Sequence, residues 1–265
     1  MAAMVEIPAV LRQRLMTPAD GEPPEILVVE HEAECPPGLW GGWLTEAGLR
    51  LRVVRPYLGE PLPEDVDHFA GLLVLGGSPG PWDDDRFSWL PATRALLRTA
   101  FEHGTPTFGI CLGAELMTAE FDGRTERRDV PQIGVYDLKV LPAAAEDAVF
   151  AGLADCPPAM LWHLEEMAAL PPGAVLLIGG TDSPHQAFRL GDQAWGTQFH
   201  PEATPEIVTG WAHESAMLRK AGADADEVVA QVVAAAAETT RTWRPVAHRW
   251  AALVHQRHRD RLPPT

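Results

Sequence analysis

Three short stretches hold residue types that could do nucleophilic chemistry. Residues 104–117, GTPTFGICLGAELM, pass from an apolar run through Gly109-Ile110-Cys111-Leu112-Gly113 straight into a helix-prone segment. Small residues around Cys111 permit the strained turn of a nucleophile elbow, which lifts a thiol above a sheet edge at the N-terminus of the next helix. The helix dipole there favours thiolate. A cysteine in an apolar run is also a common packing residue, so Cys111 alone decides nothing. About 90 residues later, Gln198-Phe199-His200-Pro201-Glu202 closes another strand-like run, AWGTQF. A thiol needs an imidazole to take its proton, and the imidazole needs an acceptor on its other nitrogen to fix its tautomer. Cys111, His200 and Glu202 fit nucleophile, base and orienter. The third stretch, Leu75-Gly76-Gly77-Ser78-Pro79-Gly80, leaves bare backbone whose N–H groups could face a developing oxyanion. In isolation it also reads as an ordinary Gly-Pro turn.

The elements that must position these groups follow from hydrophobic patterning. Short aliphatic runs at Ile26 to Glu30, Leu51 to Val54, Leu72 to Leu75 and Thr107 to Ile110 alternate with helical stretches at Leu39 to Ala47 and Pro91 to Glu102. LLVL and TFGI show no in/out alternation, as expected for parallel strands covered on both faces. The expected fold is α/β: a doubly wound, mostly parallel sheet with helices on both faces, antiparallel additions and a C-terminal helical extension. The antiparallel additions are expected from closely spaced segments at Ile133 to Leu141, Ala159 to Trp162, Val175 to Ile178, Gln186 to Arg189 and Ala194 to Phe199. A helix from about Pro205 to Lys220 follows, then the linker AGADAD and a helical appendage from Glu227 to Arg259, interrupted at Pro245. The chain thus divides into an arm (1–24), a core domain (25–220) and an extension (221–265). Each chemistry-bearing stretch falls at a strand's carboxyl end, where open α/β sheets place ligands.

The stretches GGSPGPWDDD, GICLGAE and QFHPEA resemble the class I glutamine amidotransferases, the Cys-His-Glu glutaminase domains, over roughly residues 25–218. The resemblance implies that Cys111 attacks the γ-carboxamide of glutamine, His200 passes the proton to the leaving ammonia and Glu202 orients His200. A thioester forms and water cleaves it. It further implies an oxyanion hole from the Gly77 and Leu112 N–H groups, and substrate contacts around Gly113, Glu115 and the LWHLEEM segment with Trp162, His163 and Glu165. One position departs from the family pattern: Glu115 stands where the family usually has glutamine. A carboxylate there could repel the substrate carboxylate, raise the pKa of the thiol, or favour a γ-glutamyl compound bearing a cation. It could also turn aside without effect.

Composition bounds the alternatives. The chain has 265 residues, 46% hydrophobic and 22% charged, enough to bury a core. Lys+Arg 21 against Asp+Glu 37 gives a net charge of −16, which repels nucleic acid and anionic lipid, so neither is an expected partner. Three cysteines, Cys35, Cys111 and Cys156, are too few and odd in number for a disulfide framework, and no stretch reads as a signal peptide or membrane span. A cytoplasmic protein is expected. Cys35 and Cys156 read as bystanders, Trp40, Trp43, Trp89 and Trp211 as packing residues, and His248, His255 and His258 as a solvated helical face. Asp83, Asp84 and Asp85 read as solvated or capping carboxylates, and no metal or cofactor is expected. The tail is too short for a synthetase unit, so ammonia would pass to a separate synthetase partner. Two other readings stay open: a γ-glutamyl peptide or γ-glutamyl amine hydrolase, and a non-catalytic binding or regulatory protein that retains the fold.

Overall fold

A computed structural model describes residues 22–213 and 215–262; most of the expected N-terminal arm lies outside them. Strands β1 (Glu25–Val29), β2 (Arg50–Val54), β3 (Gly71–Val74), β4 (Thr107–Ile110) and β10 (Ala194–Thr197) form the parallel part of an eight-stranded sheet. Its order is β2-β1-β3-β4-β10-β9-β8-β6, where β9 (Ala187–Leu190), β8 (Val175–Gly179) and β6 (Lys139–Val140) add on antiparallel. β3 and β4 are buried at every position, which is why their sequences show no alternation.

The expectation that all the later strands extend this sheet does not hold. β5 (Arg124–Asp137) and β7 (Pro158–Ala169) pair only with each other, as a separate antiparallel ribbon with a register shift between Arg127 and Gln132. Ile133 and Met160 of the ribbon pack against Val208, Leu218, Val228 and Val232 from the following helices, so it has a core of its own. The expected 205–220 helix is two: α4 (Pro205–Ala212) and α5 (Ala216–Ala221). His213 takes extended backbone, and the Ser215 hydroxyl accepts from Leu218 N–H to start the second.

The C-terminal segment is no appendage. Helix α6 (Ala225–Arg261) starts on the Asp224 carboxylate, which accepts from Glu227 N–H at 3.0 Å, and runs unbroken through Pro245. With α1 (Gly38–Glu46) it covers one face of the sheet: Trp243, Val246, Trp250 and Val254 pack on Ile26, Val28, Leu73 and Phe108 with Trp40 and Leu44. A proline inside a helix costs about 3 kcal/mol. Full burial of four large apolar side chains stabilises by roughly 1.5–3 kcal/mol each, so packing outweighs the break. Side chains of α6 thus belong to the same core as the sheet. Two of the three tail histidines are docked as well: His255 Nε2 lies 2.8 Å from the Ala47 carbonyl oxygen, and His258 is buried. The other face is covered by α2 (Leu90–Glu102) and α3 (Leu112–Glu120), which place Leu96, Leu97, Leu112 and Leu116 on Leu27, Leu72 and Val74. No helix of the described residues is long and apolar enough to cross a membrane.

Candidate functional site

Strand β4 ends at Ile110, and the chain turns into α3 through Cys111, whose φ of 48° and ψ of −107° are costly for a residue with a side chain. The turn is held from two sides. Cys111 N–H donates to the Thr197 carbonyl at 2.7 Å, tying the elbow to β10. A Cβ on Gly113 would stand 2.1 Å from the Val74 carbonyl oxygen, so only glycine lets α3 sit this close to β3. The positive φ at Cys111 and the glycine packing make the strained elbow that the sequence suggests.

The parallel register places Thr197 beside Ile110, so the residues just past β10 arrive next to the elbow. His200 N–H donates to the Met160 carbonyl at 2.8 Å, and its ring Nδ1 lies 2.7 Å from Glu202 Oε1. That contact puts the ring proton on Nδ1 and leaves Nε2 free. Both His200 Nε2 and Glu202 Oε2 are buried without a hydrogen-bond partner among the described residues. The ring and Cys111 flank Gly76: a Cβ there would meet His200 Cε1 at 3.0 Å and Cys111 Cβ at 3.6 Å. No hydrogen bond among the described residues joins the thiol to the imidazole. Sγ instead lies 4.0 Å from Glu115 Oε1 and 3.9 Å from Gln198 Nε2.

Burial is the main electrostatic influence here. It pushes the Cys111 thiol well above its usual range, helped by the Glu115 and Glu202 carboxylates and opposed by the Leu112 N–H and the Gln198 amide. The pull toward thiolate expected at the helix N-terminus is present in the Leu112 N–H, and burial with the two carboxylates acts against it. Burial also raises Glu115 to about 7, against a smaller downward pull from its hydrogen bond with Gln198. His163 falls to about 4 through burial; its Nδ1 donates to the Glu165 carbonyl oxygen at 2.7 Å and its Nε2 faces the Gln132 amide at 3.1 Å. His31, fully enclosed, falls to about 3.

Cys111, His200, Gly77, Glu115, Trp162, His163 and Glu165 line one cleft of about 490 Å³. Glu202 sits behind His200. Leu112 and Gly113 are not among the lining residues: the Leu112 side chain enters the core, with its N–H at the thiol, and Gly113 packs on β3. The structure adds residues that the sequence left out. Trp211 packs against the His200 ring at 4.7 Å between centroids, the two planes tilted by 58°, and lies 5.7 Å from Trp162. Cys35 is no bystander in position, because it lines the same cleft, with Sγ 3.2 Å from Glu32 Oε1. Glu32 and Glu34 line it too, on the loop after β1, and the rule that ligands sit at strand carboxyl ends was the signal for them. Trp89 donates from Nε1 to His31 Nδ1 at 3.1 Å. Asp84 pairs with Arg94 at 2.6 Å, and Asp83 accepts from Gly80 N–H at 2.9 Å. Among the described residues no group of three or more His, Cys, Asp or Glu side chains is placed to hold a metal ion.

A family model described as glutamine amidotransferase class-I matches residues 44–211. A GMP synthase [glutamine-hydrolyzing] of Xanthomonas oryzae pv. oryzae is 33% identical over 149 residues, which are 54% of this chain and 27% of that protein. The chain therefore spans about a quarter of the length of the GMP synthase it matches. The glutamine amidotransferase-like protein YfeJ of Salmonella typhimurium is 27% identical over 195 residues, covering 71% of this chain and 79% of its own. Among solved structures, a glutamine amidotransferase from Methylobacillus flagellatus superposes with a TM-score of 0.71 at 27% identity, covering 92% of this chain and 96% of that one. A glutamine amidotransferase from Thermotoga maritima superposes with a TM-score of 0.76 at 19% identity, covering 86% and 97%, and speaks to the fold alone.

Proposed function

The chain belongs to the class I glutamine amidotransferases, and from that membership and the cleft we propose that it cleaves the γ-carboxamide of glutamine through a thioester on Cys111. One observation carries the reading: the His200 ring, oriented by Glu202 and with its Nε2 buried and unpartnered among the described residues, borders the same cleft as Cys111. Because burial keeps the resting thiol protonated, thiolate forms only as His200 takes the proton during attack. The sulfur adds to the γ-carbon, and the developing oxyanion meets the N–H groups of Gly77 and Leu112. The C–N bond then breaks, the imidazolium gives its proton to the departing ammonia, and water attacks the thioester with His200 as base. Glutamate leaves and the thiol is restored. The Glu202 carboxylate stabilises the imidazolium in both halves.

Glu115 fits this scheme in its protonated form, because a neutral carboxyl offers both a donor and an acceptor, as the family's amide does with its NH₂ and carbonyl. In this reading Trp162, His163 and Glu165 border the glutamyl end. The His163 ring acts there by shaping the β7 backbone, since both of its nitrogens are engaged. The ammonia acceptor would be a synthetase, in keeping with the activity named for the GMP synthase relative. The three free cysteines suit a reducing cytoplasm. Ammonia release from glutamine by the full chain tests the proposal: Cys111→Ala and His200→Ala should each lose about 10³-fold or more in kcat, and undiminished release by Cys111→Ala overturns it.

A further inference from the structure

When the Cys111 proton leaves for His200, negative charge appears on a sulfur that water barely reaches. Cys111 is 6% exposed, Glu115 2% and Gln198 not at all. Titratable groups face the sulfur from each neighbouring element. Glu115, one turn along α3, has Oε1 at 4.0 Å, while His200 and Glu202 come from the segment after β10. Cys35 lines the same cleft from the loop after β1, near enough for a Cys111 thiolate to oppose its ionisation. The two carboxylates and the second thiol all work against charge on Cys111, so hydrogen-bond donors must carry it. Leu112 N–H is one such donor.

Gln198 is placed to be another. Backbone bonds pin its segment on three sides: the Thr197 carbonyl accepts from Cys111 N–H at 2.7 Å, Gln198 N–H donates to the Gln186 carbonyl at 2.9 Å, and His200 N–H donates to the Met160 carbonyl at 2.8 Å. The side-chain amide is oriented by a donor of fixed identity. Met167 N–H donates to Gln198 Oε1 at 3.2 Å, so the amide oxygen faces the ribbon and the NH₂ faces the elbow. There Nε2 has two hydrogens and two acceptors, Glu115 Oε1 at 2.7 Å and Cys111 Sγ at 3.9 Å. A donor contributes little to a neutral thiol. Toward thiolate the same bond is charge-assisted, roughly twice as strong, and already in place before the charge appears. It therefore stabilises the attacking state more than the resting one.

We propose that Gln198 is a catalytic residue, its Nε2–H donating to the Cys111 sulfur as the proton passes from Sγ to His200 Nε2, and again when thiolate is expelled from the thioester by water. The inference rests on the thioester reading of Cys111 and deepens it. The amide exchanges no proton of its own: sulfur gives its proton to the imidazole on attack and regains one from it at the end. The bond to Met167 also ties this donor to β7, the strand that carries Trp162, His163 and Glu165.

The test reads the sulfur directly, as the rate of Cys111 alkylation by iodoacetamide in the full chain, followed by mass spectrometry on the peptide holding Cys111. Gln198→Met, of similar length and without the amide, should move the curve of rate against pH about one unit higher. Its kcat for glutamine should fall about tenfold, with KM within about twofold. Gln198→Glu keeps the size and the acceptor for Met167 N–H, which guards against a misfolded Gln198→Met, and should slow alkylation further by adding an acid beside the sulfur. The Gln198→Met effect should persist in a Glu115→Gln background, because the amide acts on sulfur and not only through Glu115. An alkylation curve that Gln198→Met and Gln198→Glu leave in place, or a shift that vanishes in Glu115→Gln, overturns the role of Gln198 while Cys111-dependent turnover leaves the thioester reading intact. Undiminished glutamine turnover by Cys111→Ala overturns both.

Discussion

Gln198 donates from Nε2 to Glu115 Oε1 at 2.7 Å, and the same nitrogen stands 3.9 Å from Cys111 Sγ. Its carbonyl oxygen accepts from Met167 N–H on β7 at 3.2 Å. One fully buried amide thereby links the elbow, the departure from the family pattern at residue 115 and the ribbon that borders the cleft.

Glu115 should set a pH limit. With its carboxyl raised to about 7 by burial, it is neutral below that value and charged above it. Turnover of glutamine should fall as pH rises through about 7, because the anion loses the donor that an amide would keep and repels the substrate carboxylate. Glu115→Gln should move this limb upward. A wild-type profile level from pH 6 to 8.5, or one that Glu115→Gln leaves in place, contradicts the role.

The same group makes a stability prediction of known sign. An acid whose folded pKa lies above its unfolded value binds more protons when folded, so its ionisation opposes folding as pH rises from about 4.5 through 7. Glu115→Gln should be more stable than the parent at pH 8, by up to about 3 kcal/mol, and show little advantage at pH 4.5. Urea melts at the two values measure it. An equal effect at both would assign the change to packing.

His31 and His163 act in the opposite direction. Both are neutral when folded, at about 3 and about 4, so the unfolded chain gains protons below its usual histidine pKa of 6.5 and the folded chain does not. Stability from these two is complete above 6.5 and is lost as pH falls toward 4, at roughly 2–3 kcal/mol per pH unit once both are titrating in the unfolded state. His31→Gln should flatten that decline in melts between pH 6.5 and 5; an unchanged slope assigns it to other groups.

The docked C-terminal helix gives a mutational contrast. Trp250 is fully buried between α6 and the sheet, with its ring 6.1 Å from that of Phe108. Trp250→Ala should cost about 3–5 kcal/mol, as for a core aromatic. A loss under about 1 kcal/mol would restore the picture of a loosely attached tail.

Most of the parallel sheet was legible because buried strands leave a plain signature: GLLV and TFGI are apolar on both faces. The elbow was legible for a local reason, since small residues around Cys111 serve one backbone shape. What escaped was decided by partners distant in sequence. Patterning marks β5 and β7 as strands, but only the packing of Ile133 and Met160 on α4 to α6 separates them from the main sheet. Pro245 marks a break in any isolated helix, and the burial of Trp243 and Trp250 overrides it. Trp211 reads as a packing residue because nothing near it in sequence reveals that His200 packs against its ring.

The central claim is that Cys111 carries the glutamyl group during turnover, with His200 as its base. Intact-protein and peptide mass spectrometry after rapid acid quench of the chain with excess glutamine tests it most directly. A glutamyl adduct on the peptide holding Cys111, absent from Cys111→Ser and slow to form in His200→Ala, is the predicted result. Glutamine turnover with no adduct at Cys111, or an adduct on Cys35 or Cys156 instead, would contradict the account.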